Sequence, residues 1–250
     1  MRLDPRLMVI SKRLSGVKRI LAVMSNKGGV GKTVVATGLA LAAVEKGLKT
    51  GLLDLDFTSP STHIVLGIDP SKIAPEEEKG IVPPLVHGIK YITLAYYTGD
   101  NPVPLRGSSV DEVFKELLAI TRWGELDLLV IDTPPGLGDE NLDLLTYLGN
   151  KLEIVLVATP SRLSIASIEK VIKMLKEAGY KINGLIENMS KKPVLKDLCS
   201  RYGIRYLGCI LYDNKLENVL GNVEAFKHTA FYDFICEIFD NIVSSPIKMG

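Results

Sequence analysis

Cysteine is scarce in this sequence: Cys199, Cys209 and Cys236 are the three in 250 residues. They are widely spaced and odd in number, with no C-x-x-C pair, a pattern that fits reduced thiols in a core rather than a disulfide framework. An excess of one charge is also missing. Thirty Lys and Arg face 29 Asp and Glu, a net charge of +1, so no global field recruits nucleic acid or an anionic membrane. Long apolar runs are absent as well. The longest, residues 34–44, is far too short to span a bilayer, and no charged, apolar and cleavable leader opens the chain, so the expected location is cytoplasmic, without membrane insertion. His63, His87 and His228 are scattered and suggest neither a metal cluster nor a triad. No internal repeat or low-complexity tract is present.

What the sequence does have is a glycine-rich loop, Met24-Ser25-Asn26-Lys27-Gly28-Gly29-Val30-Gly31-Lys32-Thr33. It stands between an apolar strand at residues 19–24 and a helix starting near Gly31. Gly28, Gly29 and Gly31 let backbone amides approach an anion without obstruction, and the following helix adds unpaired N–H groups and the positive end of its dipole. Lys32 is placed to reach terminal phosphates. Thr33 offers a hydroxyl to a magnesium ion, as expected of a G-x-x-x-x-G-K-[ST] loop. Asn26 replaces the first glycine of that pattern, and Asn tolerates left-handed backbone angles better than most residues.

From residue 19 onward apolar strands alternate with helices, which predicts a doubly wound, mostly parallel α/β sheet flanked by helices. The strands are expected at residues 50–55, 89–96, 126–131, 153–158, 182–187 and 205–211, and helices at 33–46, 110–121, 164–178 and 194–202. The expected division is a basic extension over residues 1–18 and a single domain over 19–250. The extension carries five basic residues and one acid, and reads as a solvated arm with a short docking helix as the other reading. Residues 73–85, with Glu76-Glu77-Glu78-Lys79-Gly80 and Pro83-Pro84, read as an exposed, partly disordered excursion. The last segment sets Phe231, Phe234, Ile235, Ile238, Phe239 and Ile242 on one helical face. Acidic Asp233, Glu237 and Asp240 on the other face argue for docking on the sheet rather than on an anionic membrane.

Doubly wound sheets bind ligands at the carboxyl ends of their strands. There the sequence places Asp54-Leu55-Asp56-Phe57-Thr58-Ser59-Pro60-Ser61 and Asp132-Thr133-Pro134-Pro135-Gly136-Leu137-Gly138-Asp139. Asp132 is a candidate to hold the magnesium shell, and Asp56 to orient or deprotonate an attacking water, with Asp54 in support. A helix N-cap or turn carboxylate is the competing role for each. Two prolines and two glycines in the second loop suit a segment that switches between discrete arrangements.

The stretch Lys27-Gly28-Gly29-Val30-Gly31-Lys32-Thr33 resembles the deviant Walker A loop of the MinD/ParA class of P-loop ATPases. The wider set of motifs is similar to its Mrp-type iron-sulfur cluster carrier branch: Asp54-x-Asp56 with Pro60-Ser61, Leu105-Arg106-Gly107, Trp123-Gly124-Glu125-Leu126-Asp127, Asp132-Thr133-Pro134-Pro135-Gly136 with Gly138-Asp139-Glu140, Ala158-Thr159-Pro160, and Glu187-Asn188-Met189-Ser190. The resemblance implies a P-loop fold that binds ATP and Mg2+ through residues 26–34, from Asn26 to Val34, with Thr33, Asp56 and Asp132 toward the metal. It also implies a homodimer in which Lys27 crosses to the partner's nucleotide, and adenine bound by Asn188, whose amide offers both donor and acceptor, beneath the backbone of Leu211 to Asp213. An iron-sulfur cluster and an iron-sulfur acceptor or regulatory protein as partner come with the same resemblance. The C-x-x-C pair that follows Asn-Met-Ser in the cluster-carrying relatives is replaced here by Lys191-Lys192-Pro193-Val194. The sequence reading is therefore a slowly hydrolysing dimeric ATPase switch of iron-sulfur assembly, with a MinD-like positioning or regulatory ATPase as the alternative. An ATP-dependent synthetase would need a substrate pocket that no motif supplies.

Overall fold

The computed structural model describes residues 4–57, 59–98, 108–136 and 138–244. Thr58, Leu137 and the Leu105-Arg106-Gly107 motif lie outside the described residues. The chain runs α1 (Pro5–Arg13), β1 (Val17–Ser25), α2 (Lys32–Glu45), β2 (Thr50–Asp54), α3 (Thr62–Leu66), β3 (Glu76–Glu77), β4 (Ile81–Val82), β5 (Leu85–Val86), β6 (Ile89–Thr93) and α4 (Ala95–Thr98). It continues with α5 (Ser108–Ile120), β7 (Leu126–Asp132), α6 (Asp139–Leu148), β8 (Leu152–Ala158), α7 (Arg162–Glu177), β9 (Ile182–Ser190), α8 (Lys196–Tyr202), β10 (Tyr206–Leu211), α9 (Val223–Lys227) and α10 (Ala230–Val243).

The main sheet has the order β10-β9-β8-β1-β7-β2-β6-β5. Its pairings are parallel except that of β5 with β6. The central strands are buried on both faces, which is why they read as near-continuous apolar runs. One face is covered by a core containing Ile10, Phe114, Trp123, Leu144, Ile168 and Leu198. The other is covered by α2 and α10, with Leu39, Val35, Ile235 and Phe239 packed on Leu21, Val23 and Val130. The C-terminal helix is thus docked on the protein's own sheet, as its acidic outer face suggests.

Three expectations are corrected. The N-terminal stretch is a docked helix rather than a solvated arm. Asp4 caps it, accepting from the Arg6 amide at 3.0 Å, Pro5 opens its first turn, and Ile10 and Leu14 are core residues. Residues 76–82 form a small antiparallel ribbon of β3 and β4. It is pinned by Arg13, which donates to the Lys79 carbonyl at 3.1 Å, and by Arg122, which donates to the Glu78 carbonyl at 2.6 Å. Finally, β6 stops at Thr93 rather than continuing to residue 96, because the Thr93 hydroxyl accepts from the Ala95 amide at 3.2 Å and turns the chain into α4.

Candidate functional site

Strand β1 lies at the centre of the sheet, so the loop leaving it opens between the carboxyl ends of its neighbours. Gly29 and Gly31 have φ of 75° and 81°, angles that L side chains rarely adopt. Gly31 caps α2 without a side chain of its own, and an added Cβ there would stand 2.3 Å from Asn188 Nδ2. At Gly28 and Gly29 an added Cβ would meet nothing within 4 Å, so no protein atom crowds this turn on its side-chain side. The resulting cavity of about 410 Å3 is lined by residues 27–33 together with Ser25, Asp56, Ser59, Ser61 and Pro135.

At its foot, Lys32 Nζ donates to Asp132 Oδ1 at 2.5 Å and Thr33 Oγ1 donates to Asp132 Oδ2 at 2.8 Å. Lys32 Nζ is 3.9 Å from Asp56 Oδ2. Asp132 is fully buried at the end of β7 and pairs in register with Asp54 at the end of β2. Burial pushes the Asp132 carboxyl up to about 7 against the pull of the Lys32 ammonium, and burial raises Asp54 as well.

Asp54 accepts from the Asp56 amide at 3.0 Å and from the Thr62 amide and hydroxyl at 3.2 and 2.6 Å. The Thr62 hydroxyl also bonds Tyr91 OH at 2.7 Å. These bonds fix both ends of the loop that carries Asp56, so Asp54 supports that loop rather than facing the cavity. The second loop is tied to β1 through the Gly136 amide, which donates to the Ser25 carbonyl at 2.9 Å. Asn141 on α6 holds it from behind, donating to the Pro134 and Gly136 carbonyls at 3.3 and 2.9 Å.

On the other flank of β1, Asn188 is buried at the end of β9 and donates to the Val30 carbonyl at 2.8 Å. A second cavity of about 140 Å3 opens there, bounded by Gly31, Val34, Asn188, Met189, Leu211 and Asp213. The structure thus brings Lys27 to Thr33 and Asp56 to one cavity, with Asp132 buried behind Lys32 and Thr33, and brings Val34, Asn188, Leu211 and Asp213 to its neighbour, while Asn26 lines neither. Lys27 is exposed at the rim and forms no ion pair among the described residues. Thr62, Tyr91 and Asn141 carry no motif signal, because their partners are distant in sequence or are backbone atoms.

The residues fit a nucleotide phosphate chain and a divalent cation. The cradle presents an uncrowded glycine turn beside a buried cation, and both polar atoms of the Asn26 side chain are shut from solvent without a hydrogen-bond partner in the protein. Buried polar groups of that kind call for one. Lys32 with the amides of residues 28–33 could hold phosphates, and Thr33, Asp56 and Asp132 a hard cation through oxygen.

The cysteines do not fit a cluster. Cys199 is buried, with its thiol pushed up to about 11 by burial, and Cys209 and Cys236 are half-buried with thiols also raised. Raised thiols are poor sources of the thiolate that ligates metal. Among the described residues no group of three or more His, Cys, Asp or Glu could hold a metal ion, and no helix is long and apolar enough to cross a membrane.

Comparison with known proteins gives the chain's family and fold. Residues 16–199 match the family described as "ParA: NUBPL iron-transfer P-loop NTPase". The chain is 33% identical to the iron-sulfur cluster carrier protein of Aquifex aeolicus over 96% of its own length and 72% of that protein's. It is 30% identical to the cytosolic Fe-S cluster assembly factor CFD1 of Kluyveromyces lactis over 99% and 98% of the two chains. Among solved structures, the nucleotide-binding protein of Archaeoglobus fulgidus in complex with ADP superposes with a TM-score of 0.75 at 29% identity, covering 93% of this chain and 96% of that one. The cell division ATPase MinD of Pyrococcus furiosus shares the fold, with a TM-score of 0.64 at 23% identity over 90% and 98% of the chains. With most of its length matched, this chain belongs to the ParA/NUBPL family of iron-transfer P-loop NTPases.

Proposed function

We propose that this protein is an ATP-binding, slowly ATP-hydrolysing dimeric switch that serves iron-sulfur cluster assembly without a C-x-x-C ligand pair of its own. The observation that carries the reading is the junction of Lys32 and Thr33 with the two oxygens of buried Asp132 beneath a glycine-lined cavity. The names of the relatives supply the cargo. The ATPase domain covers residues 19–250, and the extension before it carries α1, Pro5–Arg13, packed on α5 and α6.

Catalysis in this reading is positional and electrostatic. Lys32 and the amides of residues 28–33 bind the phosphates and neutralise their charge. Thr33, Asp56 and Asp132 would hold Mg2+, which when bound would supply positive charge to the phosphates. Asp56, on a loop fixed by Asp54 and Thr62, orients the attacking water and accepts its proton. Lys27 reaches the nucleotide of a second copy, so that ATP joins two protomers. Asn188, with Leu211 and Asp213, receives the adenine in the smaller cavity.

Titration with Mg-ATP and sedimentation test the reading. Lys32→Ala should abolish nucleotide binding, Asp56→Ala should bind without turnover, and Lys27→Ala should weaken ATP-driven dimerisation. A Lys32→Ala protein that binds Mg-ATP as the parent does would sink it. The missing ligand pair favours a second reading, a positioning or regulatory ATPase that works by recruiting a partner. Anaerobic reconstitution with iron and sulfide separates the two readings. Stoichiometric iron lost in a Cys199→Ser, Cys209→Ser variant would establish a carrier with relocated ligands, and iron in neither protein would leave the recruiting switch.

A further inference from the structure

Helix α5 carries an apolar stripe, Val113, Leu117 and Ile120, that the rest of the chain faces without filling. A cavity of about 580 Å3 lies along it, larger than the phosphate cavity and on the scale of small-molecule sites. Ile81 of β4, Leu94 and Tyr97 of α4 supply the facing walls. Leu117 is 3% exposed and Ile81 6%, whereas Tyr97 is 51% exposed, so the space runs from the core to the surface. It shares no lining residue with the phosphate cavity or with the smaller cavity beside Asn188.

Collapse does not close this cavity, because its walls are tied elsewhere. The ribbon of β3 and β4 forms one wall, and Arg13 and Arg122 hold its turn by the Lys79 and Glu78 carbonyls. The Arg122 amide also donates to the Ile81 carbonyl at 2.7 Å. At Gly80 the ribbon already touches the end of α5: an added Cβ would stand 2.4 Å from the Ile120 carbonyl. The ribbon thus comes as near to the helix as glycine allows and still leaves the stripe uncovered. On the facing side α4 is set by the turn that the Thr93 hydroxyl makes with the Ala95 amide. Apolar surface held open to solvent is a standing cost that an apolar ligand removes.

The charged groups lining the cavity are Glu77 and Lys79 on the ribbon and Glu116 on α5, all of them exposed. None forms a salt bridge among the described residues. The neighbouring charges are engaged already: Arg122 Nη1 pairs with Glu78 at 3.0 Å, and Arg13 donates to the Ala119 and Lys79 carbonyls. A cation here meets carboxylates from two different walls and the exposed ring of Tyr97, whereas an anion meets Lys79 alone against two like charges. We propose that this cavity binds a small amphipathic amine: an apolar body roughly 10 Å long, the rise of α5 from Val113 to Ile120, ending in an ammonium group. The proposal is independent of the nucleotide reading, because Glu77, Tyr97, Val113 and Glu116 take no part in the phosphate site.

Calorimetric titration of the full chain with naphthylethylamine, naphthylethanol and naphthylpropionate tests it, since the three share an apolar body and differ in the charge of the head. The amine should bind tightest, roughly fivefold ahead of the alcohol and further ahead of the carboxylate, with the gap narrowing as salt is added. In a Glu77→Gln, Glu116→Gln variant the amine should fall to the level of the alcohol, whose own affinity stays as it was. Val113→Phe puts a ring into the cavity and should remove binding of all three. Tyr97→Ala, on an exposed side chain, should weaken the amine roughly threefold and serves if the Val113 variant unfolds. Absence of measurable amine binding would overturn the proposal, and so would an amine that binds no tighter than the carboxylate. Affinity left intact by both Val113→Phe and Tyr97→Ala would place the amine elsewhere and overturn it equally. Amine and alcohol of equal affinity, both lost in Val113→Phe, would keep the cavity as an apolar site and overturn the ammonium assignment.

Discussion

Three glycines of the phosphate loop differ in the two respects that decide what an alanine costs, and substituting each in turn separates them. Gly28 has open space and needs no left-handed angle, Gly29 has open space with φ of 75°, and Gly31 has φ of 81° with Asn188 Nδ2 only 2.3 Å from an added Cβ. Gly28→Ala should leave folding stability almost unchanged. Gly29→Ala should lose about 1–2 kcal/mol, the cost of holding an L residue left-handed. Gly31→Ala carries that cost, about 1–3 kcal/mol of overpacking and about 1 kcal/mol for the Asn188 to Val30 hydrogen bond it dislodges, for a loss of roughly 3–6 kcal/mol. Urea unfolding of the nucleotide-free protein measures all three, and midpoints compare directly if the slopes agree. A second substitution sharpens the result: Asn188→Ala removes the obstructing amide, so the double variant should be more stable than the sum of the single losses implies, by about 1–3 kcal/mol. Equal midpoints for Gly29→Ala and Gly31→Ala, or strict additivity with Asn188→Ala, would refute the claim that β9 is wedged against the loop.

Asp132 should make stability pH-dependent in the nucleotide-free protein. Its folded value of about 7 lies above the ordinary carboxyl value of 3.8, so the native state holds the proton longer. That contribution is complete below about pH 4 and is lost as the pH rises toward 7. Melting curves across this window should show it in the parent and a flatter response in Asp132→Asn; parallel responses would remove the buried carboxyl as the cause. Asn141→Ala leaves the Pro134 and Gly136 carbonyls without their donor and should cost about 1–3 kcal/mol in urea unfolding. Tyr91→Phe removes one partner of the Thr62 hydroxyl, should cost about 1 kcal/mol, and should slow turnover more than it weakens nucleotide binding, measurable as a drop in kcat with KM little changed.

The centre of the molecule was legible in the sequence because its signals are local. Lys32 and Thr33 stand at fixed offsets from their glycines, and Asp132 ends an apolar run that only a doubly buried strand explains. The edges were harder to read because their partners are distant. In residues 1–18 five positive charges masked the helical spacing of Ile10 and Leu14, which are buried only when α5 and α6 are beside them. The ribbon at residues 76–82 is anchored by Arg13 and Arg122, far along the chain in either direction. Glu187 is a clear case of the same limit. A glutamate within a strand reads as a solvent-facing residue until the loop that folds back over it supplies its donors, here the Ser190 hydroxyl and the Val194 and Leu195 amides.

The place of β1 has a mechanical consequence. The loops carrying Asp56 and Asp132 belong to the strands on one side of it, and Asn188 and the backbone after β10 belong to the other. A ligand occupying both cavities would act as a cross-tie between two half-sheets that are otherwise joined through β1 and through the packing of α10 on α2. Its departure would remove the tie at the carboxyl edge and leave the halves joined through β1 and the α2–α10 layer, so amide exchange should quicken in the loops of both flanks together while β1 itself stays protected.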